Sequence, residues 1–443
     1  LRHALVVLHG RYNRCSVPPL LASLEESGLC EELDVTVVRV SERRLSDAAP
    51  ALYGAVREAL RRADRVVLAL TVTTWVAMEA MGVLRRLRRE CGGRLVAVAG
   101  GPHASGDPWG TIEVLGFDYA VVGEGELSLP RLLAEVVEGG DPEGVEGVAS
   151  KARPSPRRPR PVELDESRPY SLRYRAFAPA IEIMRGCPHA CKFCQTPRIM
   201  GHRPRYRSVD SVVEAVEVLV REFGWRDVRF VAPNGFAYGS RDGATPDPER
   251  LRDLLEAVRS VEGVRRVYLG TFPSEVRPES VTPEVLEAVR GLVDNRRLSI
   301  GVQSGSDKVL EAVGRGHTVE DGLRAVRCAR AYGFLPYVDV LCGLPGETEE
   351  DVRMTLRLIR EVIRQGGKVR LHTFVPLPGT PLWREDGAPL PDFALEAFRA
   401  WVAAGAAEGD YEEQLRMRMV ISAYKRISEG LKSLREGATH LRG

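Results

Sequence analysis

A chain of 443 residues is long enough to bury the cores of two or three domains. Its 63 Lys and Arg balance 61 Asp and Glu to a net charge of +2, so bulk electrostatics give no reason to expect a nucleic-acid partner. Eight cysteines over such a length do not make a secreted disulfide framework, and with no signal-peptide pattern they predict a reducing, cytoplasmic location.

Residues 1–150 alternate short apolar runs with helical periods. Strands rich in Val, Leu and Ala are predicted at 4–8, 35–40, 65–70, 95–99 and 119–122, and helices at 18–27, 48–62, 75–89 and 127–138. The stretch 66–84 is apolar, but Thr71, Thr73, Thr74, Glu79 and Gly82 interrupt it. It reads as a buried strand running into a helix, and no membrane partner is expected. Continuous apolar strands alternating with helices indicate a parallel, doubly wound, Rossmann-like sheet. Ligands of such sheets sit outside the strand C-termini. The loops there hold Thr71, Thr73 and Thr74, then Gly100-Gly-Pro-His-Ala-Ser105, then Gly123-Glu-Gly-Glu126. Glycine-rich turns let a backbone approach a ligand closely.

Residues 151–177 include Arg153-Pro-Ser-Pro-Arg-Arg-Pro-Arg-Pro161, and proline at this density predicts an extended linker. Residues 178–385 show six strand–helix units, with strands near 180–184, 227–232, 265–270, 297–303, 335–341 and 369–375. Thr318 with Asp321, and Thr348 with Asp351, fit helix-capping boxes. Six such units make a partial, TIM-like (βα)6 barrel, whose chemistry belongs at the strand C-terminal ends. Residues 386–443 read as a charged helical extension, with Leu395, Phe398, Trp401 and Val402 on an apolar face packed against the barrel. Cys15, Cys30, Cys91, Cys328 and Cys342 are scattered among apolar residues and read as small buried hydrophobes.

Directly after the first barrel strand comes Arg185-Gly-Cys-Pro-His-Ala-Cys-Lys-Phe-Cys194. The thiolates of Cys187, Cys191 and Cys194 can hold three irons of a [4Fe–4S] cube. The fourth iron then stays open to a small molecule carrying an amine and a carboxylate. The competing reading is a structural zinc with His189 as fourth ligand. Zinc usually draws on two separated ligand pairs, and no second pair stands nearby. The spacing, Phe193 and the flanking sequence resemble the radical SAM superfamily, whose cluster reductively cleaves S-adenosylmethionine (SAM) to a 5′-deoxyadenosyl radical. The resemblance implies that Phe193 lies against the adenine.

Further segments extend the resemblance. Val231-Ala-Pro-Asn-Gly235 ends the second strand, where the family contacts the SAM amine, so Asn234 and Gly235 are implied there. Gly301-Val-Gln-Ser-Gly-Ser306 continues to Gly314-Arg-Gly-His-Thr318 and is similar to a segment shared by methylthiotransferases and coproporphyrinogen oxidase-like enzymes. It implies Gln303, Ser304 and Arg315 for the ribose and carboxylate; the Arg fork suits a carboxylate. Gly343-Leu-Pro-Gly-Glu-Thr348 resembles the family's segment that shapes the adenine end, so Gly343 is implied there. Pro376, in Phe374-Val-Pro-Leu-Pro-Gly-Thr-Pro381, completes the set.

The order Gly-Gly-Pro-His, then Gly-Glu-Gly-Glu, resembles the cobalamin-binding domain that precedes many radical SAM cores. It implies cofactor contacts from Thr71, Thr73, Thr74, Gly100, Gly101, Pro102, His103, Gly123, Glu124, Gly125 and Glu126. The first loop, His9-Gly-Arg-Tyr-Asn-Arg14, departs from the Asp-x-His-x-x-Gly of free-standing cobalamin domains. The cofactor is therefore expected base-off, without a His ligand of that type. His103 is expected to hydrogen-bond its loop or the corrin amides.

Joined, the two domains imply a methyltransferase for unactivated carbon. The radical takes hydrogen from the substrate, the carbon radical takes methyl from methylcobalamin, and a second SAM restores the methyl group. The loops at 71–74, 100–105 and 123–126 should then pack over the barrel mouth. A low-potential electron donor is the implied partner. Three other readings stay open: cobalamin chemistry without net methyl transfer, a methylthiotransferase, and a corrinoid sensor or carrier. A methylthiotransferase needs three more cluster cysteines, for which Cys15, Cys30 and Cys91 are the right number. The substrate is a peptide or protein (the methyl-coenzyme M reductase peptide in a methanogen is one target) or a small molecule or lipid.

Overall fold

The structure is a computed structural model that describes residues 1–42, 44–175 and 180–440. The last two residues of the predicted linker and the first two of the predicted barrel lie outside this set.

Strands β1 (His3–His9), β2 (Leu33–Arg39), β3 (Arg65–Thr71), β4 (Leu95–Gly100), β5 (Tyr119–Val121) and β6 (Val148–Ser150) form one sheet in the order β2-β1-β3-β4-β5-β6. The first five run parallel. Their runs of Val, Leu and Ala are continuous because helices cover both faces. One face packs Leu52 and Val56 of the helix Leu45–Arg62 with Leu84 and Leu87 of Ala77–Cys91. The other packs Leu21 and Leu24 of Val17–Glu26 with Leu132, Leu133 and Val136 of Gly125–Glu138. The sixth strand, antiparallel to β5, was not predicted. Three residues are too few to show a period.

The strand order reverses between β1 and β3, and such a switch point opens a crevice beyond the strand C-termini. Asn13 fixes the loop after β1 there. It accepts from the Gly10 N–H at 2.8 Å, and its amide donates to Leu8 O and Thr71 Oγ1.

The second half begins with β7 (Ile181–Glu182) and an antiparallel pair, β8 (Met184–Arg185) and β9 (Arg205–Tyr206), which brackets the cysteine loop. The strands β10 (Asp227–Val231), β11 (Arg266–Tyr268), β12 (Arg297–Gln303), β13 (Leu335–Cys342), β14 (Lys368–Thr373) and β15 (Ala407–Glu408) follow. They pair in parallel as β7-β10-β11 and β12-β13-β14-β15, and a bridge between Val276 and Ile300 links the two groups. Helices lie outside, with both predicted capping boxes formed at Thr318 and Thr348.

The C-terminal extension departs from the expectation in two ways. It supplies β15, a seventh parallel strand, and its long helix Tyr411–His440 reaches both halves of the molecule. Tyr424 on that helix is fully buried among residues of the first sheet's core and donates to Asp107 Oδ2 at 2.7 Å. Phe398 is buried as predicted, whereas Val402 is 40% exposed and lies off the apolar face. The Pro/Arg-rich segment is no free spacer. Arg157 O accepts from Gly147 N, and Val162 and Leu164 are buried.

Candidate functional site

A cavity of about 340 Å3, open to solvent on one side, lies at the switch point of the first sheet. It falls at the lower end of the roughly 300–1,000 Å3 of small-molecule sites. Thr71, Thr73, Gly100, Gly101, Pro102, Gly123, Glu124, Gly125 and Glu126 all line it. So do Tyr12, Cys15 and Ser16 from the loop after β1, which the sequence did not single out, and Cys15 is therefore not a core filler. The opposite wall comes from the barrel half: Glu182, Arg185, Ile199, Met200 and Val231. The three loops thus face the barrel mouth.

The backbone there is bare. Gly100 would meet nothing within 4 Å on gaining a Cβ, and Gly123 only Ile199 O at 3.9 Å. The buried Tyr12 hydroxyl has no hydrogen-bond partner among the described residues. A large ligand bearing amides fits such a wall: it can reach main-chain groups and satisfy that hydroxyl.

Two predicted contacts point elsewhere. Thr74 is buried but does not line the cavity. The His103 imidazole packs edge-on to Tyr424, ring centroids 5.2 Å apart, and both its nitrogens lack a hydrogen-bond partner among the described residues. The expected hydrogen bond to the loop is not made. Burial holds this imidazole down at about 4, so it stays neutral at physiological pH.

Glu124 and Glu126 sit at the seam between the halves. Arg185 Nη1 donates to Glu124 at 2.8 Å, and its Nη2 donates to Glu126 and Glu182 at 2.6 Å each. Arg205 makes a second pair with Glu124, which also accepts the Val162 N–H. Arg185, Glu124 and Glu126 are each no more than 7% exposed. Burial alone would raise the Glu124 pKa, yet Arg205 and Arg185 carry it below its ordinary value. Burial works against charge on Arg185, and Glu182, Glu126 and Glu124 outweigh it. Removing one partner of such a buried pair costs about 3–5 kcal/mol. The only sequence signal was the position of Arg185, two residues before Cys187.

Beyond Arg185 the chain turns through Gly186, whose φ of +85° suits only glycine, and whose Cβ would lie 2.5 Å from Arg203 O. Cys187 N then donates to Gly201 O. Cys191 is buried, and its sulfur accepts from Arg315 Nη1 at 3.4 Å and Arg277 Nη1 at 3.7 Å. Arg277 pairs with Glu279. Cation donors aimed at a thiolate are the environment a cluster ligand needs. The sequence reading named nothing in Glu275-Val-Arg-Pro-Glu279; charged residues beyond the third strand were the available signal. Among the described residues no three His, Cys, Asp or Glu side chains are spaced to hold one metal ion.

Phe193 joins Val309, Val313, Leu344 and Phe374, which brings the cysteine loop, the Gly-Leu-Pro-Gly segment and the end of β14 into one apolar patch. Gln303 has φ +79°, a left-handed conformation rare outside glycine, at a register shift in β12. Arg315 also donates to Gly301 O at 2.6 Å, and burial, then Arg277, lowers its pKa. The other candidates are committed within the protein. Asn234 spans Ser280 Oγ and Arg277 N; Ser304 contacts Thr355 Oγ1 and Ser306 N; Gly343 N donates to Glu347. Gly235 N donates to Glu275 O, and Pro376 is buried. Gln195, next to Cys194, donates to Pro102 O at 3.0 Å and Pro378 O at 2.8 Å and so ties the cysteine loop to the first half.

Residues 181–359 match the Radical SAM superfamily, and residues 21–133 match the B12 binding domain. The chain therefore carries a radical SAM region preceded by a B12-binding domain, and that pair of domains implies a [4Fe–4S] cluster, SAM and cobalamin. An uncharacterized methyltransferase of Pyrococcus horikoshii is 26% identical over 83% of this chain and 78% of its own length. A tRNA-2-methylthio-N(6)-dimethylallyladenosine synthase of Sulfurihydrogenibium is 30% identical, over 47% of this chain and 45% of its own. The fold is similar to that of the radical SAM methyltransferase TsrM from Kitasatospora setae, solved with cobalamin and a [4Fe–4S] cluster bound. The TM-score is 0.63 at 20% identity, over 87% of this chain and 74% of that one.

Proposed function

We propose that the protein is a cobalamin-dependent radical SAM methyltransferase acting on an unactivated carbon of a peptide or a small molecule. The observation that carries this reading is the single cavity walled by both halves, with Arg185 in its wall two residues from Cys187. When bound, the cluster and SAM supply the radical and the corrinoid supplies the methyl group; the protein's part is to hold and orient them. Cys187, Cys191 and Cys194 hold the cluster, with Arg277 and Arg315 donating to Cys191. Phe193 and its apolar neighbours flank the adenine, and Gln303, in its left-handed turn, faces the nucleoside. The bare backbone at 100–102 and 123–125, with Tyr12 and Thr73, holds the corrinoid. With its ring packed on Tyr424, His103 would not serve as a ligand to cobalt.

Matches to methylthiotransferases span only about half the chain. Cys30 and Cys91 lie in apolar clusters on opposite faces of the first sheet and cannot share an auxiliary cluster with Cys15. Among the described residues no helix is long and apolar enough to cross a membrane.

The test is anaerobic reconstitution with iron, sulfide and hydroxocobalamin, followed by metal counting and product analysis with SAM. About four irons and one cobalt per chain, with a base-off spectrum and both 5′-deoxyadenosine and S-adenosylhomocysteine formed, support the proposal. Four irons with no bound corrinoid sink it. About eight irons favour the methylthiotransferase.

A further inference from the structure

We propose that Arg185 is a positioning residue through which filling of the corrinoid cavity is felt at the cluster loop, so that corrinoid and SAM bind cooperatively. This rests on the reading of the cavity as the corrinoid site. Three observations carry it. Glu124, Glu126, Glu182 and Arg185 are themselves cavity wall, so a ligand there bears on the ion network directly. Arg185 is gripped by all three carboxylates at 2.6–2.8 Å, two of them from the N-cap and first turn of the helix Gly125–Glu138 that follows β5. Finally, only Gly186 separates Arg185 from Cys187, and Gly186 is wedged against Arg203 O with no room for a side chain.

A planar guanidinium held bidentately by Glu182 and by one hydrogen bond each to Glu124 and Glu126 cannot shift without breaking charge-assisted hydrogen bonds in a buried setting. Fixing loop 123–126 therefore fixes Arg185, and with it the start of the cluster loop. The ordering that SAM would otherwise impose is then already done, which favours its binding. Linkage makes the effect mutual: SAM must tighten corrinoid binding by the same factor.

The experiment measures the SAM dissociation constant of cluster-loaded protein by equilibrium dialysis, with and without saturating hydroxocobalamin. The wild type is expected to bind SAM at least about fivefold more tightly with the corrinoid present. Glu126→Gln removes one carboxylate while leaving Glu124 on Arg205 and Val162, and its ratio is expected to fall towards one. Arg185→Lys, which keeps the charge but loses the fork, is the second variant and is expected to behave alike. A purely structural pair would lower the unfolding temperature and weaken both ligands, yet leave the ratio intact; that result overturns the inference. So does a wild-type ratio of one with both ligands bound. Hydroxocobalamin failing to bind the wild type at all overturns the proposed function, and this inference with it.

Discussion

Two guanidiniums on one sulfur is the feature of Cys191 that the cysteine spacing did not announce. Donors to cluster sulfurs favour the reduced, more negative cluster and raise its potential. Arg277→Gln removes one of the two donors while Arg315 keeps the other, so the reconstituted variant should retain its iron and show a more negative midpoint potential in an EPR-monitored titration. An unchanged potential would mean that Arg277 serves only its contacts to Glu279 and to Arg315 O. Glu347 offers a second residue-scale test. Burial raises its pKa from 4.5 to about 7, and its Oε1 has no hydrogen-bond partner among the described residues. Between those values the folded protein holds a proton that the unfolded chain has lost. Stability from this group is therefore greatest below about pH 4.5 and falls by about 3 kcal/mol as pH rises through 7. Glu347→Gln mimics the protonated side chain and keeps an acceptor for Gly343 N. It should be more stable than wild type at pH 8 in urea unfolding, with a flatter profile from pH 5 to 7. At this scale the sequence showed what spacing encodes: the three cysteines, and the glycines and threonines of the strand-end loops. It hid Arg277, Arg185 and the turn of His103 towards Tyr424, because those contacts join residues far apart in the chain.

Elements were legible where a pattern was long enough to repeat. Both capping boxes and the five parallel strands of the first sheet follow from local sequence. β6 and β15, of three and two residues, carry no period of their own; neighbouring strands recruit them. The helix Tyr411–His440 was read as a tail, yet it pins the two halves together. Tyr424 reaches Asp107, and Lys425 donates to the carbonyls of Trp383, Arg384 and Glu385. Asp107 meanwhile caps its own helix through Gly110 N. Tyr424→Phe keeps the ring but strips a buried carboxylate of a donor, at about 1–3 kcal/mol. A lower urea midpoint for the B12-binding domain, with iron content unchanged, is the expected outcome. An unshifted midpoint would show that the ring packing alone does the pinning.

The cavity at the seam gives the molecule as a whole a property that neither half has alone. Its floor belongs to the first sheet, and Glu182, Arg185, Ile199, Met200 and Val231 close it from the barrel. A ligand held by only one wall stabilises only the half that owns it. One held by both walls favours the docked molecule over every state in which either half is open, by about 2.7 kcal/mol at a hundred times its dissociation constant. Hydroxocobalamin at that excess should therefore raise the unfolding temperature of both halves. If the free protein melts in two calorimetric steps, they should move together. The Glu124–Arg205 pair and the Gln195 contact to Pro102 cross the same seam, so they add to this coupling. Arg205→Gln should weaken it and let the two steps separate again at a given corrinoid concentration. Should hydroxocobalamin raise only one step in the wild type, the barrel wall contributes no binding energy. The cavity would then be a one-domain site that happens to lie beside the barrel.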